Sequence, residues 1–114
     1  MKTHYLEIVT HDVDGVCAAY AAALGAVFAA PEPLLGGART AVLADGGLPG
    51  VRAPLRDSEA PVVRPYWRVP DIDVAVAALA RAGAQVAMPA TGIPGRGRFA
   101  LCVQGGNDHG LWQP

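Results

Sequence analysis

The sequence predicts a single α+β domain assembled from two copies of one unit, a β-strand followed by an α-helix and then by further strands. Three observations carry the prediction. The order of strand, N-cap, apolar-periodic helix and glycine stop occurs twice. The two N-caps, Asp12 and Asp71, stand 59 residues apart. A chain of 114 residues has room for one hydrophobic core, so a duplication inside it must share that core.

Each element is set by local pattern. Tyr5-Leu-Glu-Ile-Val-Thr10 alternates with the two-residue period of a half-buried strand, Leu6 and Ile8 on one face and Tyr5, Glu7 and Val9 on the other. Asp12 then caps a helix whose apolar side is Val13, Val16, Cys17, Tyr20 and Leu24, and Gly25 ends it. Arg64 to Val69 repeats the short strand, and Pro70-Asp71 opens a helix with Ile72, Ala75, Val76 and Leu79 inward, closing at Gly83. Turn residues divide the chain after the first helix into strands over 27–30, 39–44 and 51–55. After the second helix the strands are 85–88 and 98–103, then the chain end beyond Gln104-Gly-Gly-Asn107. Module one is thus about residues 1–56 and module two about 62–114. A polar, proline-bounded linker at about 57–61 joins them.

Composition narrows the partners. The chain is 52% hydrophobic and 17% charged with a formal charge of −1, which excludes disorder and any basic stripe for nucleic acid. No apolar run serves as a membrane span, and the N-terminus has no unbroken apolar stretch of the signal-peptide kind, so a cytoplasmic protein is expected. Cys17 and Cys102 sit in apolar runs far apart and read as buried free thiols.

Several segments together resemble the vicinal oxygen chelate proteins, the superfamily of glyoxalases, bleomycin-resistance proteins and certain dioxygenases. They are Tyr66-Trp-Arg-Val-Pro-Asp-Ile-Asp-Val-Ala-Val76, Gly83-Ala-Gln-Val-Ala-Met-Pro89, Ile93-Pro-Gly-Arg-Gly-Arg-Phe-Ala100 and Gly110-Leu-Trp-Gln113, joined by Leu6-Glu-Ile-Val-Thr-His-Asp12 in the first module. The resemblance implies two βαβββ modules in one chain, forming a curled mixed sheet with a central cleft. It also implies a divalent metal held by His, Gln or Glu side chains from the first and late strands of each module. At those positions this sequence has Tyr5, Arg64 and Gly110, none of them a usual ligand. No metal and no other cofactor is therefore expected. His4, Glu7 and His109 are the remaining donors, and a one-residue shift of the last strand would turn His109 inward.

The residues expected to meet a ligand are Tyr5, Glu7, Arg64, Tyr66 and Trp112. Glu7 shares the face of Tyr5, and a carboxylate there needs a partner. That partner is a structural arginine, Arg64 or Arg68, or else a ligand that Glu7 binds or deprotonates. Tyr66 holds the place in module two that Glu7 holds in module one. Trp112 shares the face of Gly110, where it walls the cleft or else serves core or dimer packing. His11 reads as an exposed loop residue, and Gly95-Arg-Gly-Arg98 as a hairpin turn.

The expected function is metal-independent binding of a small planar polar molecule. The purpose would be sequestration, as in antibiotic resistance of the bleomycin-resistance type, or an accessory step in metabolism. The alternative is a lyase, isomerase or dioxygenase with an unorthodox metal site or with Glu7 as base. A homodimer is expected from exposed sheet edges and from the resemblance, with neither nucleic acid nor membrane as partner.

Overall fold

The computed structural model describes residues 1–114. Its elements run β1 (Lys2–Val9), α1 (Val13–Leu24), a 3-10 turn (Pro33–Leu35), β2 (Arg39–Thr40), β3 (Pro49–Arg52), β4 (Val62–Arg68), α2 (Ile72–Arg81), β5 (Gln85–Ile93), β6 (Gly97–Gln104) and β7 (Asn107–Gln113). The predicted α+β class holds, and each module begins with a strand and its helix. The chain divides into two compact units, Tyr5–Val63 and Arg64–Pro114 with Met1–His4.

Within Tyr5–Val63, β3 pairs parallel with β1 and antiparallel with β2. Asp12 caps α1 by accepting from Gly15 N at 3.1 Å, and Gly25 ends the helix in the left-handed conformation. Ile8, Cys17 and Val51 form the core, with Leu6, Val13, Val16, Tyr20 and Phe28 packed on it. Leu6 and Ile8 thus face α1, which turns Tyr5 and Glu7 to the other side of the strand. Segment 27–30 is not a strand. Ala29 N bonds Thr40 O at 2.8 Å, but Pro31 and Pro33 lack the N–H groups that would carry a ladder onward. The stretch expected as strand 39–44 stops at Thr40. Leu43 N there turns to Gly47 O, and Asp45 Oδ1 receives Gly47 N in a tight turn.

In the second unit, β7 pairs parallel with β4 and antiparallel with β6, and β5 is antiparallel to β6. Asp71 caps α2 by accepting from Val74 N, and Gln113 Oε1 takes the N–H of Ile72, so both ends of the module secure one helix start. Ile72, Ala100 and Leu111 form the core, with Trp67, Val69, Val76 and Leu79 among the residues packed on it. Strand β5 extends to Ile93, past the end at Met88 that the sequence predicts and into the stretch expected as a loop up to Gly97. Two register shifts, on either side of Met88, and the lack of a partner on its outer edge let it absorb a proline. Both modules thus end in a strand parallel to their own first strand, the structural form of the sequence repeat. No helix is long and apolar enough to cross a membrane.

Candidate functional site

Register places a glycine opposite each candidate position: Glu7 faces Gly50, and Tyr66 faces Gly110. The missing side chains make room for tyrosine rings. A Cβ on Gly50 would collide with Tyr5 Oη, and one on Gly110 would collide with Tyr66 Cδ2. Tyr5 and Tyr66 are both buried, so each ring occupies the ground that a longer side chain on the late strand would use.

In the first unit, Glu7 is buried and accepts from Arg52 Nε at 2.9 Å. Arg52 also grips Glu59, Nη1 to Oε1 at 2.7 Å and Nη2 to Oε2 at 2.8 Å. The Arg52 hydrogen bonds hold the Glu59 carboxyl down to about 2, and Glu59 in turn raises the affinity of Arg52 for its proton. The linker expected at 57–61 is therefore fastened by Glu59 to β3. Sequence reading missed Arg52 and Glu59. The signal was available in the repeat: Arg52 follows Gly50 by two, as Trp112 follows Gly110 by two.

In the second unit, Tyr66 meets Trp112 edge-on at 5.6 Å between ring centroids and Phe99 at 6.2 Å, while Phe99 and Trp112 lie 5.9 Å apart. Trp112 Nε1 donates to Arg96 O at 2.7 Å, which satisfies the buried indole. His4 adds a fourth ring, 5.3 Å from Trp112. Burial, then the charges of Arg68 and Lys2, lower its basicity, so it is neutral at pH 7. Arg64 bonds Asp108 through Nε at 3.0 Å and Nη2 at 2.7 Å. The structure thus brings Tyr66 and Trp112 together in one aromatic group with Phe99, which the sequence reading left out, and with His4, which it named only as a remaining metal donor. It sets Tyr5 and Glu7 on one face of β1.

The last-strand register is fixed by the pairing of Tyr66 with Gly110, which leaves His109 on the alternate face, its Nε2 3.3 Å from Gln104 O. Cys17 and Cys102 are buried free thiols, their acidity reduced by burial. His11 is exposed, and residues 94–96 form the hairpin turn between β5 and β6. No three His, Cys, Asp or Glu side chains converge as a metal-binding group. A hard cation needs several oxygen or imidazole donors aimed at one point. A tyrosine over Gly50, an arginine at 64 and a tyrosine over Gly110 do not fit such an ion.

Modules of this order, each closed by a late strand parallel to its first, make up a glyoxalase-like fold. Among solved structures the chain is similar to methylmalonyl-CoA epimerase from Mycobacterium tuberculosis, at 22% identity over 98% of this chain and 87% of that one, with a TM-score of 0.74. It is similar to a hypothetical protein from Bacillus halodurans C-125 at 16% identity, over 99% of this chain and 94% of that one, with a TM-score of 0.75. A Streptomyces coelicolor methylmalonyl-CoA epimerase variant in complex with 2-nitronate-propionyl-CoA is similar at 21% identity, 99% and 96% coverage and a TM-score of 0.68. At these identities the likeness is one of fold. No protein-family profile and no curated protein matches the sequence.

Proposed function

We propose that the protein binds a small planar polar molecule without a metal ion, for sequestration or for an accessory step in metabolism. The observation that carries this reading is the pair of tyrosines laid over Gly50 and Gly110, which replaces metal donors by aromatic surface and a phenol on each module. In the second unit, Tyr66 and Trp112 supply faces for stacking and Arg64 a charged donor. In the first, Tyr5 and Glu7 supply a phenol and a carboxylate that Arg52 orients. An aromatic contact contributes about 0.5–1.5 kcal/mol beyond area burial, and a charge-assisted hydrogen bond about 1.5–3. A few of each support micromolar binding after immobilisation is offset. The protein is proposed to act in the cytoplasm as a homodimer.

The test is a thermal-shift screen of planar aromatic antibiotics and metabolites, repeated on Tyr66→Ala and Glu7→Gln. A hit that stabilises the natural protein and loses its effect in either variant supports the reading. Hits that persist unchanged in both overturn it at these residues, and about one divalent ion per purified chain overturns the metal-free part. A second reading rests on the fold neighbours and on Glu7: a carboxylate fixed in place by Arg52 Nε at 2.9 Å is the one group of this face with the chemistry of a general base. Turnover of methylmalonyl-CoA, lost in Glu7→Gln, would replace binding by catalysis.

A further inference from the structure

Arg52 ends β3 and is 5% exposed, a cation more deeply buried than Glu7 at 8%. Its guanidinium is divided between two carboxylates. Nε serves Glu7, which sits on β1, while the Nη1 and Nη2 fork serves both oxygens of Glu59. The two differ in what carries them. Glu59 belongs to residues 53–61, exposed everywhere but Pro54 and Glu59 itself. Inside that segment Glu59 Oε1 accepts from Leu55 N at 2.8 Å and Glu59 N bonds Arg56 O. The polar attachment of the segment to the rest of its unit runs through Arg52, by way of Glu59 and the Ala53 carbonyl at 3.2 Å from Nη1.

We propose that the Nη1/Nη2 fork of Arg52 is a carboxylate-binding site, that Glu59 fills it as an internal stand-in, and that a carboxylate-bearing small molecule enters by displacing Glu59 and lifting residues 53–61. The geometry suits this. A planar guanidinium with two parallel donors matches one carboxylate, and it is held ready by Glu7 on its third edge. Gly36 lets the arginine stem pack closely against it, since a Cβ there would lie 3.3 Å from Arg52 Cδ. Exchange of one carboxylate for another leaves the charge of the buried group unchanged, so the desolvation that makes a buried charge expensive is not paid twice. What the incoming molecule must overcome is the local concentration of a tethered Glu59, of millimolar order or above. A simple carboxylate therefore acts at tens of millimolar, and a ligand with further contacts acts lower. Acid is not the release signal, because the Glu59 carboxyl titrates at about 2. The site lies wholly within residues 5–63 and stands or falls independently of ligand binding at Tyr66 and Trp112.

The experiment uses the natural chain and trypsin cleavage after the exposed Arg56, in sodium propionate against sodium chloride at equal ionic strength. A synthetic peptide of residues 53–61 corrects for any effect on the protease. Propionate is expected to raise the cleavage rate saturably, roughly severalfold by about 0.1 M, as the tether is outcompeted. Equal rates in propionate and chloride would overturn the proposal and leave Glu59 a fixed structural partner. Glu59→Gln supplies a second measurement. With the competing carboxylate gone, propionate should raise its melting temperature at concentrations roughly tenfold lower than the natural chain requires. A Glu59→Gln protein that propionate does not stabilise beyond chloride also overturns it. Should that variant fail to fold, the cleavage result alone decides.

Discussion

At Gly110 an added methyl group would overlap Tyr66 Cδ2 and stand 2.7 Å from the carbonyl of Pro65. The second contact is backbone and does not yield, so Gly110→Ala is expected to destabilise by about 1–3 kcal/mol, measured by urea unfolding. Replacing Tyr66 by leucine in the same chain should recover only part of that loss. An unchanged midpoint in Gly110→Ala would mean that Tyr66 does not fill this space. Glu59 gives a second test at this scale. Its folded-state value is depressed, so its stabilising contribution is complete above the unfolded carboxyl value of about 4.3 and is lost as pH falls toward 2. Thermal stability should decline through that window, less steeply in Glu59→Gln. The two residues also mark how far the sequence could be read. Tyr66 was legible because the repeat aligned it with Glu7, and Gly110 because the resemblance marks its position as that of a usual metal donor. Glu59 was not, since a glutamate in a polar, proline-bounded stretch looks like any solvated linker until Arg52 is seen beneath it.

Among the elements, helices were the most legible. Asp12, Gly25 and Asp71 each act through their own neighbours, and a cap needs only three or four residues to declare itself. The helix ends stand where those residues put them. Strands depend on partners, which is why 27–30 and 41–44 looked extended yet form no ladder, and why β5 runs through a proline that an outer edge tolerates. The closing Gly110-Leu-Trp-Gln113 shows four roles in one strand. Gly110 admits Tyr66, Leu111 joins the core under α2, Trp112 bonds Arg96 O, and Gln113 receives the Ile72 N–H at 2.9 Å. The start of α2 thus rests on two side chains. Asp71→Ala and Gln113→Ala should each cost about 1 kcal/mol in denaturant unfolding. The bond at Gln113 is part-buried, so Gln113→Ala leaves an N–H poorly hydrated, whereas Gln113→Glu keeps an acceptor and should cost less. Equal losses for the alanine and glutamate variants would show that Gln113 contributes packing and not a hydrogen bond.

For the whole molecule, the division of the chain has one consequence that no motif announced: residues 1–4 belong with 64–114, so β1 contributes to both units. The link is aromatic and titratable, for His4 lies 5.3 Å from Trp112. Trp67 and Trp112 both lie in that same unit, so tryptophan emission reports on it alone. Burial, Arg68 and Lys2 disfavour the imidazolium, which places the folded-state value of His4 below that of a free histidine. The unfolded chain therefore binds the proton more readily near pH 6, and stability rises with pH there. The contribution is present above about 6.5 and is lost as pH falls through the folded value. Unfolding followed by tryptophan emission should accordingly show a falling midpoint from about pH 7 to about pH 5. His4→Phe keeps a ring against Trp112 and removes the proton, so its midpoint should stay nearly level over the same range. His4→Ala removes the ring as well, and should lower the midpoint at every pH while altering the near-ultraviolet circular dichroism of Trp112. If His4→Phe retained the full slope, the titrating group would lie elsewhere, and the role of the first four residues in the second unit would reduce to backbone pairing.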